Sequence, residues 1–288
     1  MNNSSFSADT ILTGLLSHPS KHSFSPSIHN TAANILGLDF LYLAFDVLPE
    51  NLESALSGMR AMNIRGFNLS LPHKRRVLPL LDELSLEVQY TSAANTIVNR
   101  KGRLKGFNTD ITGFSKSLEL YSEIFWDRPA LIIGAGGSAS AAIYSLIVDF
   151  KIKEINITNR TLQNASMLVL NFINLFKDVK FRIVPFDDKE MNEVINNSGI
   201  IVNTTSIGMY PDVESIVDLP FSALNRESIV FDLIYNPTKT KLLEVAENAG
   251  SITLNGLYML MFQATESVKI WSGKDMPVEE VKKFLPQF

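Results

Sequence analysis

The chain has 288 residues, 26 Lys and Arg against 30 Asp and Glu, a net charge of −4 and no cysteine. A domain usually takes about 150 residues, so this length predicts two domains. The lack of cysteine excludes disulfide bonds, thiolate metal sites and a cysteine nucleophile. The mild net charge argues against nucleic acid as the main partner.

The sequence carries no recognisable targeting or membrane signal. Residues 1–10 are polar and contain no Lys or Arg, whereas a secretory signal needs a basic start and a long apolar core. The longest apolar stretch, Ala139–Val148, contains polar residues and is far shorter than the roughly 20 residues of a membrane span. We therefore expect a cytoplasmic protein that does not enter a membrane.

Short β-rich runs alternate with helical patterns in the first third of the chain. Ser25 and Pro26 suit the start of a helix, with Ser25 as its N-cap. Helices are predicted at Ser25–Leu36 and Glu50–Met62, and strands at Thr10–Leu16, Asp39–Asp46 and Gly66–Leu71, followed by a hairpin of Thr96–Asn99 and Arg103–Asn108.

From Pro129 onward the pattern becomes strand, helix, strand. The predicted strands are almost continuously apolar, which is typical of a parallel sheet covered on both faces. We therefore predict an α/β fold with a domain boundary near Asp110–Gly113. The strands are expected at Ala130–Ile133, Glu154–Asn159, Arg182–Pro185, Ile200–Asn203, Ser228–Asp232 and Ser251–Leu254, with a helix at Ser138–Asp149.

A glycine-rich loop follows the first of these strands. Gly134, Gly136 and Ala139 fill the pattern G-x-G-x-x-G/A, in which the glycines permit a tight turn and close approach of a pyrophosphate. The helix that begins there offers free N–H groups to the anion. Because a strand precedes the loop and a helix follows it, the sequence predicts a dinucleotide site.

The end of the next strand distinguishes the two common dinucleotides. NAD sites usually carry Asp or Glu there, to accept from the ribose 2′-OH. This chain has Asn159–Arg160–Thr161 instead. The guanidinium of Arg160 suits a 2′-phosphate, so the sequence favours NADP(H).

Unusual polar clusters occur at strand ends and helix starts in the first third of the chain, where site residues tend to collect. Hydroxyls, amides, a lysine and a carboxylate together suit a small polyhydroxylated acid. The four histidines are scattered, which predicts surface or capping roles and no metal site. The clusters are Ser23–Pro26, Asn68–Lys74, Ala94–Thr96 and Asn108–Asp110.

Taken together, these motifs resemble the shikimate dehydrogenase family, in order and over nearly the whole chain. The resembling segments are His22–Pro26, Asn68–Lys74, Ala93–Thr96, Asn108–Asp110, Gly134–Gly137, Asn159–Thr161, Asn203–Met209, Asp232–Pro237 and Gly256–Gln263. The resemblance implies reversible reduction of 3-dehydroshikimate to shikimate with NADPH, on the route to chorismate and the aromatic amino acids. We expect a monomer or a homodimer.

The same resemblance implies a substrate-binding domain with a mixed sheet, residues 1–110 and 256–288, and a Rossmann-like domain, residues 111–255. Lys74 and Asp110 would form the catalytic pair. The substrate would also contact Ser23, Ser25, Ser70, Asn95, Tyr235 and Gln263. The cofactor would contact Gly134, Ala135, Gly136, Gly137, Ser138, Ala139, Asn159, Arg160, Thr161, Thr204, Thr205, Ser206, Gly208, Met209, Leu233 and Gly256.

Several alternatives remain open at this point. A quinate/shikimate dehydrogenase that uses NAD, or either cofactor, would share most of these motifs. Asn164 stands where many NADP-dependent members have a second basic residue, which would weaken the preference for NADP over NAD. Lys74 could serve as the acid and base or mainly orient the substrate. A non-catalytic sensor and a folate dehydrogenase are further alternatives, which the Lys74–Asp110 pair and the Ser23–Ser25 pair disfavour.

Overall fold

The computed structural model describes residues 6–21, 23–187 and 189–284, and these confirm the predicted α/β class. The chain divides into two compact units. The first contains the residues up to Thr112 and those from Met261 onward, and the second contains Gly113–Leu260. The assignment of a substrate-binding and a nucleotide-binding role to separate domains stays a prediction.

The first unit is built on a six-stranded mixed sheet with the order β2-β1-β3-β5-β6-β4. Strands β1, β2 and β3 are parallel, whereas β5 is antiparallel to both β3 and β6. Its elements are β1 (Ile11–Ser17), α1 (Ser25–Leu36), β2 (Phe40–Asp46), α2 (Leu52–Ala61), β3 (Gly66–Leu69), α3 (His73–Arg76), β4 (Glu83–Leu84), α4 (Leu86–Thr91), β5 (Thr96–Arg100), β6 (Arg103–Phe107) and the start of α5 (Asp110–Leu118).

Apolar side chains on both faces of this sheet are buried, because alternate residues of a strand point to opposite faces. Leu16 and Ile97 belong to a cluster that includes side chains of α2. Leu15 and Val98, one residue along the same strands, belong to a second cluster with Tyr42. The sheet therefore has a core on each side.

The start of α1 differs from the prediction in one respect. Ser25 is the first residue of the helix, and Phe24 occupies the N-cap position without a side-chain cap. The hydroxyl of Ser23 instead accepts from the backbone N–H of Ser25, at 3.2 Å. The prediction of Ser25 as N-cap is therefore wrong, because the hydroxyl two residues earlier is the one that reaches a free N–H.

The second unit has a six-stranded parallel sheet with the order β12-β11-β10-β7-β8-β9, as predicted for this half. Strand order reverses between β7 and β10, and ligands of such sheets bind outside the strand ends at this point. The elements are β7 (Ala130–Ile133), α6 (Gly137–Val148), β8 (Glu154–Thr158), α7 (Leu162–Ile173), β9 (Lys180–Ile183), α8 (Met191–Asn197), β10 (Ile200–Asn203), β11 (Ile229–Asp232), α9 (Lys241–Asn248) and β12 (Ile252–Asn255).

The chain ends with α10 (Leu257–Ser272) and α11 (Val278–Lys282), so α10 begins in the second unit and continues into the first. The predicted strand at Arg182–Pro185 begins two residues earlier, at Lys180. Elements as short as β4, α3 and α4 were not predicted, because they are too short to show a periodic pattern. No helix of the described ranges is long and apolar enough to cross a membrane.

Candidate active site

Lys74 and Asp110 form an ion pair in the first unit. Lys74 lies on α3, and Asp110 is the first residue of α5. Lys74 Nζ donates to Asp110 Oδ2 at 2.6 Å, and the two side chains are only 16% and 8% exposed. An ammonium held in this way, with little water around it, can give a proton to a reacting oxygen or take one back.

The second oxygen of Asp110 is held by Asn95, whose amide can adopt only one orientation. The backbone N–H of Thr109 can only donate, and its nitrogen lies 2.7 Å from Asn95 Oδ1. Asn95 Nδ2 is therefore the donor to Asp110 Oδ1, at 2.8 Å. The carboxylate is thus held from one side by an ammonium and from the other by an amide.

Gln263 approaches the same group from α10. Its Oε1 lies 3.4 Å from both Asn95 Nδ2 and Thr109 Oγ1. Asn95 and Gln263 are 168 positions apart in the chain, and both are buried. The fold therefore brings together four residues that the sequence predicted for substrate binding: Lys74, Asn95, Asp110 and Gln263.

The predicted serines lie at the starts and ends of elements in the same unit. Ser23 donates to Ser25 across 3.1 Å, so two hydroxyls stand side by side at the beginning of α1. Ser70 follows β3, and its backbone N–H donates to Leu16 O at 3.1 Å. Tyr235, the remaining residue predicted to contact the substrate, lies in the second unit after β11 and is half-buried.

Two histidines contradict the expected surface or capping roles. His29 and His73 are completely buried. The His29 ring stacks on Tyr42 with the centroids 4.1 Å apart, and burial lowers its pKa to about 3, with only a partial offset from the side chain of Asn68. Burial also lowers the pKa of His73. His18 is exposed and pairs with Asp46, whereas His22 lies outside the described residues.

The glycine-rich loop of the second unit has the shape that a pyrophosphate requires. Gly134 has φ +110°, a conformation that favours glycine, and a Cβ there would lie 2.4 Å from Thr204 Oγ1. Gly136 is exposed, and a Cβ there would meet no atom within 4 Å, so the space above it is open. Helix α6 begins at Gly137, next to Ser138, and Ala139 is fully buried. A dinucleotide phosphate fits this loop.

Asn159, Arg160 and Thr161 follow β8, the strand beside β7. Asn159 Nδ2 donates to Thr161 O at 2.8 Å, which closes a tight turn around Arg160. The side chain of Arg160 is exposed. The second possible basic position, Asn164, is an exposed amide, so Arg160 is the cation at this strand end.

The loop after β10 lies beside the glycine loop, because β10 and β7 are neighbours in the sheet. Thr204 Oγ1 donates to Ile133 O at 2.8 Å, and Thr205 Oγ1 donates to Asn203 Oδ1 at 2.8 Å. Asn203 Nδ2 in turn donates to the buried Asp232 at 3.0 Å. The loop thereby has a fixed shape at the point where the strand order reverses. It continues through Ser206 and Gly208, which has φ +93°, to Met209.

Asp232 is a buried carboxyl that the sequence interpretation did not include in the site. Burial raises its pKa to about 6, against the hydrogen bonds from Thr240, Ile234 and Asn203. Thr240 Oγ1 donates to it at 2.6 Å. Gly256 follows β12, the strand beside β11, and a Cβ there would lie 2.0 Å from Leu233 O, so this position requires a residue without a side chain.

Sequence reasoning also missed the polar side chains that surround Asn95. Asn68, Thr96 and Thr109 belong to the motifs named above, but the sequence predicted no role for them. Ser267 gave no signal at all in the sequence. In the fold these four side chains are buried and hydrogen-bonded to one another. In the described part of the chain no three His, Cys, Asp or Glu side chains could hold a metal ion.

Three family models match consecutive segments of this chain. They are the substrate binding domain of shikimate dehydrogenase at residues 15–97, shikimate / quinate 5-dehydrogenase at 119–250 and the C-terminal domain of shikimate 5′-dehydrogenase at 256–283. The chain belongs to the shikimate dehydrogenase family. The resemblance drawn from the motifs is therefore confirmed.

Relatives in this family cover almost the entire chain. Shikimate dehydrogenase (NADP(+)) from Alkaliphilus metalliredigens is 37% identical over 277 residues, which are 96% of each protein. Shikimate 5-dehydrogenase from Listeria monocytogenes, solved with shikimate and NAD, is 39% identical with a TM-score of 0.87, and 98% of each chain is covered. The name of the Alkaliphilus relative confirms the predicted class of NADP-dependent oxidoreductase.

A relative named for quinate has the same fold. Quinate dehydrogenase from Corynebacterium glutamicum, solved with NAD, is 26% identical with a TM-score of 0.85 and matches 96% of this chain and 98% of its own. Sequence identity is lower to this enzyme than to the shikimate enzymes named above. The TM-scores of 0.85 and 0.87 are nearly equal, however, so the fold does not by itself distinguish the two substrates.

Proposed function

We propose that this member of the shikimate dehydrogenase family reduces 3-dehydroshikimate reversibly to shikimate through Lys74 and Asp110, with NADP as its cofactor. The observation that carries the proposal is the Lys74–Asp110 pair, 2.6 Å apart and largely buried. Its carboxylate is fixed from the other side by Asn95 at 2.8 Å. The shikimate dehydrogenase substrate-binding match, residues 15–97, contains both Lys74 and Asn95.

NADPH, when bound, supplies the hydride that reduces the substrate carbonyl. Lys74 Nζ gives a proton to the carbonyl oxygen as that oxygen gains negative charge, and the product is an alcohol. In the oxidation direction the neutral amine takes the proton back. Asp110 keeps the amino group of Lys74 in place through the hydrogen bond of 2.6 Å.

The other polar side chains can bind the carboxylate and the hydroxyls of a small ring acid. Ser23 and Ser25 present two hydroxyls side by side, and these can donate to a carboxylate. Asn95, Asp110 and Gln263 form one hydrogen-bonded group that can bind ring hydroxyls. Ser70 and Tyr235 complete the proposed set of substrate contacts.

The proposed cofactor site consists of the glycine loop, the turn at Arg160 and the loop after β10. The open space above Gly136 and the N-terminus of α6 suit the pyrophosphate. Arg160 is exposed at the strand end where the ribose is read, and its guanidinium suits the 2′-phosphate. Thr204, Thr205 and Ser206, with Gly208 and Met209, belong to the loop expected near the nicotinamide half.

Replacing Lys74 tests the proposed catalytic pair. Lys74→Ala removes the proton donor, so we expect kcat to fall by at least about 100-fold, the low end for a positioned acid–base group. Arg76→Ala is the matched control, because Arg76 is an exposed cation on the same short helix. Wild-type kcat in Lys74→Ala, measured by NADPH absorbance, would remove Lys74 from the mechanism.

The second candidate is a quinate/shikimate dehydrogenase that uses NAD. The central family match carries both substrate names, and the Corynebacterium relative acts on quinate. Steady-state rates with both acids and both nucleotides separate the candidates. We expect the highest kcat/KM for shikimate with NADP. A higher kcat/KM for quinate with NAD would favour the second candidate.

We also propose that the enzyme works in the cytoplasm as a monomer or a homodimer. Its small-molecule substrate and dissociable cofactor require no membrane. Light scattering coupled to gel filtration would measure the mass against 32.1 kDa for one chain. A mass above that of two chains would contradict the proposed assembly.

A further inference from the structure

One serine of α10 connects the proposed substrate group to the sheet beneath it. Ser267 is completely buried and lies one helical turn after Gln263. Its hydroxyl donates to Gln263 O at 3.1 Å, as serines inside helices often do. A hydroxyl has one hydrogen and two lone pairs, so two acceptor positions remain on Ser267.

Both acceptor positions are filled by side chains from neighbouring strands. Asn68 Nδ2, on β3, donates to Ser267 Oγ at 3.0 Å. Thr96 Oγ1, on β5, lies 3.0 Å away and supplies the second hydrogen, because the single hydrogen of Ser267 Oγ is already donated to Gln263 O. Ser267 Oγ therefore has hydrogen-bond partners on three other residues at 3.1 Å or less, and Thr109 Oγ1 lies 3.4 Å away as a fourth contact.

Two neighbours of Ser267 on α10 also bond to residues in or beside the sheet of the first unit. Gln263, Ser267 and Trp271 are spaced four residues apart and share one face of the helix. Gln263 reaches Asn95, and Trp271 Nε1 donates to Ile97 O at 2.9 Å. Ser267 stands between these contacts, roughly 6 Å along the helix from each. It is therefore well placed to set how far Gln263 projects toward Asn95.

We propose that Ser267 is a positioning residue for the reaction, acting through Thr96 and Gln263 on Asn95. This inference rests on the proposed function of Lys74 and Asp110. The hydroxyl of Thr96 also lies 3.2 Å from Asn95 Oδ1, to which it can donate. Without the Ser267 hydroxyl, the Thr96 hydrogen is given to that oxygen. There it competes with the backbone N–H of Thr109, whose bond to Oδ1 fixes the amide that holds Asp110.

Ser267→Ala tests the proposal. We expect kcat/KM for shikimate to fall about tenfold, which corresponds to the loss of one ordinary hydrogen bond. The KM for NADP should change by less than about twofold, because the glycine loop belongs to the other unit and its bonds are untouched. The matched control is Ser272→Ala, which removes the same type of bond on the same helix, from Ser272 Oγ to Val268 O at 2.7 Å.

A second pair of variants separates hydrogen bonding from packing. Thr and Val have nearly the same shape, but only Thr keeps the hydroxyl. Ser267→Thr should therefore retain most of the wild-type kcat/KM, while Ser267→Val should lose as much as Ser267→Ala. Circular dichroism would show whether Thr or Val at position 267 unfolds the protein. If both do, the proposal is tested by comparing kcat/KM of Ser267→Ala with that of Ser272→Ala.

The proposal is overturned if Ser267→Ala matches Ser272→Ala in kcat/KM, or if Ser267→Thr and Ser267→Val are equally impaired while folded. These outcomes leave wild-type shikimate oxidation intact and concern Ser267 alone. A wild-type enzyme that does not oxidise shikimate would instead contradict the proposed function and this inference with it.

Discussion

The substitution His29→Phe should make the protein less sensitive to acid. His29 is wholly buried and stacks on Tyr42, with an angle of 2° between the rings. The side chain of Asn68 offsets only part of the cost of burying a charged imidazole there. Burial lowers the pKa of this imidazole to about 3, so it is neutral in the folded protein across the whole working range of pH.

The size of the effect follows from the two pKa values. The unfolded chain takes up a proton on this side chain at about pH 6.5, whereas the folded chain does so only near pH 3. Between these values the unfolded state binds more protons, so the free energy of unfolding falls as the pH is lowered, by about 1.4 kcal/mol per pH unit. At pH 5 the loss is on the order of 2 kcal/mol.

Phenylalanine keeps a ring against Tyr42 but cannot titrate. The free energy of unfolding of His29→Phe should therefore exceed that of the wild type by a margin that grows by roughly 2 kcal/mol from pH 7.5 to pH 5. Urea unfolding measures this margin. The chain has two tryptophans, and Trp126→Phe leaves Trp271, whose ring centroid is 5.6 Å from His29, as the fluorescent reporter.

Both proteins contain all other titratable groups, so contributions such as that of Asp232 cancel in the comparison. Parallel curves of unfolding free energy against pH for the two proteins would refute the reasoning. They would mean that the buried imidazole takes up a proton in the folded state as readily as in the unfolded chain.

Three further outcomes are expected. Asp232→Asn should make the free energy of unfolding rise more steeply with pH than in the wild type between about pH 4 and pH 6, because the folded carboxyl, with its pKa raised to about 6, holds a proton that the unfolded chain releases, and the stability this gives the wild type is lost as the pH rises; a pH profile parallel to that of the wild type would contradict this. Arg160→Ala should raise the KM for NADP by about 10- to 100-fold and leave the KM for NAD nearly unchanged, since a bond to a charged group is worth about 1.5–3 kcal/mol, and equal effects on both would argue against a 2′-phosphate contact. Gly134→Ala should raise the KM for either nucleotide, because its Cβ would lie 2.4 Å from Thr204 Oγ1 at φ +110°; Gly102→Ala, with φ +86° and no atom within 4 Å, is the control, and equal effects of the two would attribute the change to backbone strain alone.

Much of the fold could be predicted from local patterns. Helix α1 has the predicted bounds, Ser25–Leu36, because its apolar spacing and Pro26 act within a few residues. The strand before Gly134 is also as predicted, because a continuous apolar run fills a buried parallel strand. The prediction that Ser25 caps this helix was wrong, because the direction of the preceding chain decides which hydroxyl reaches a free N–H, and here it is that of Ser23.

The candidate site was predictable only where a motif is contiguous. The segments Asn68–Lys74 and Asn108–Asp110 stand out in the sequence, but the orientation of the Asn95 amide depends on an N–H fourteen residues further along. Ser267 bonds to Asn68 across 199 positions. A serine in a helical pattern gives no local signal of such a bond.

The length of the chain, its alternating pattern and the glycine loop thus determined an α/β protein with a nucleotide-binding strand, loop and helix. These features arise from interactions between residues near one another in sequence. Only the tertiary structure decided that Ser267 bonds to Asn68 and Thr96 beneath Asn95, and that His29 is buried and neutral. Those properties depend on which distant segments pack together, since packing sets both hydrogen-bond partners and the loss of water around a charge.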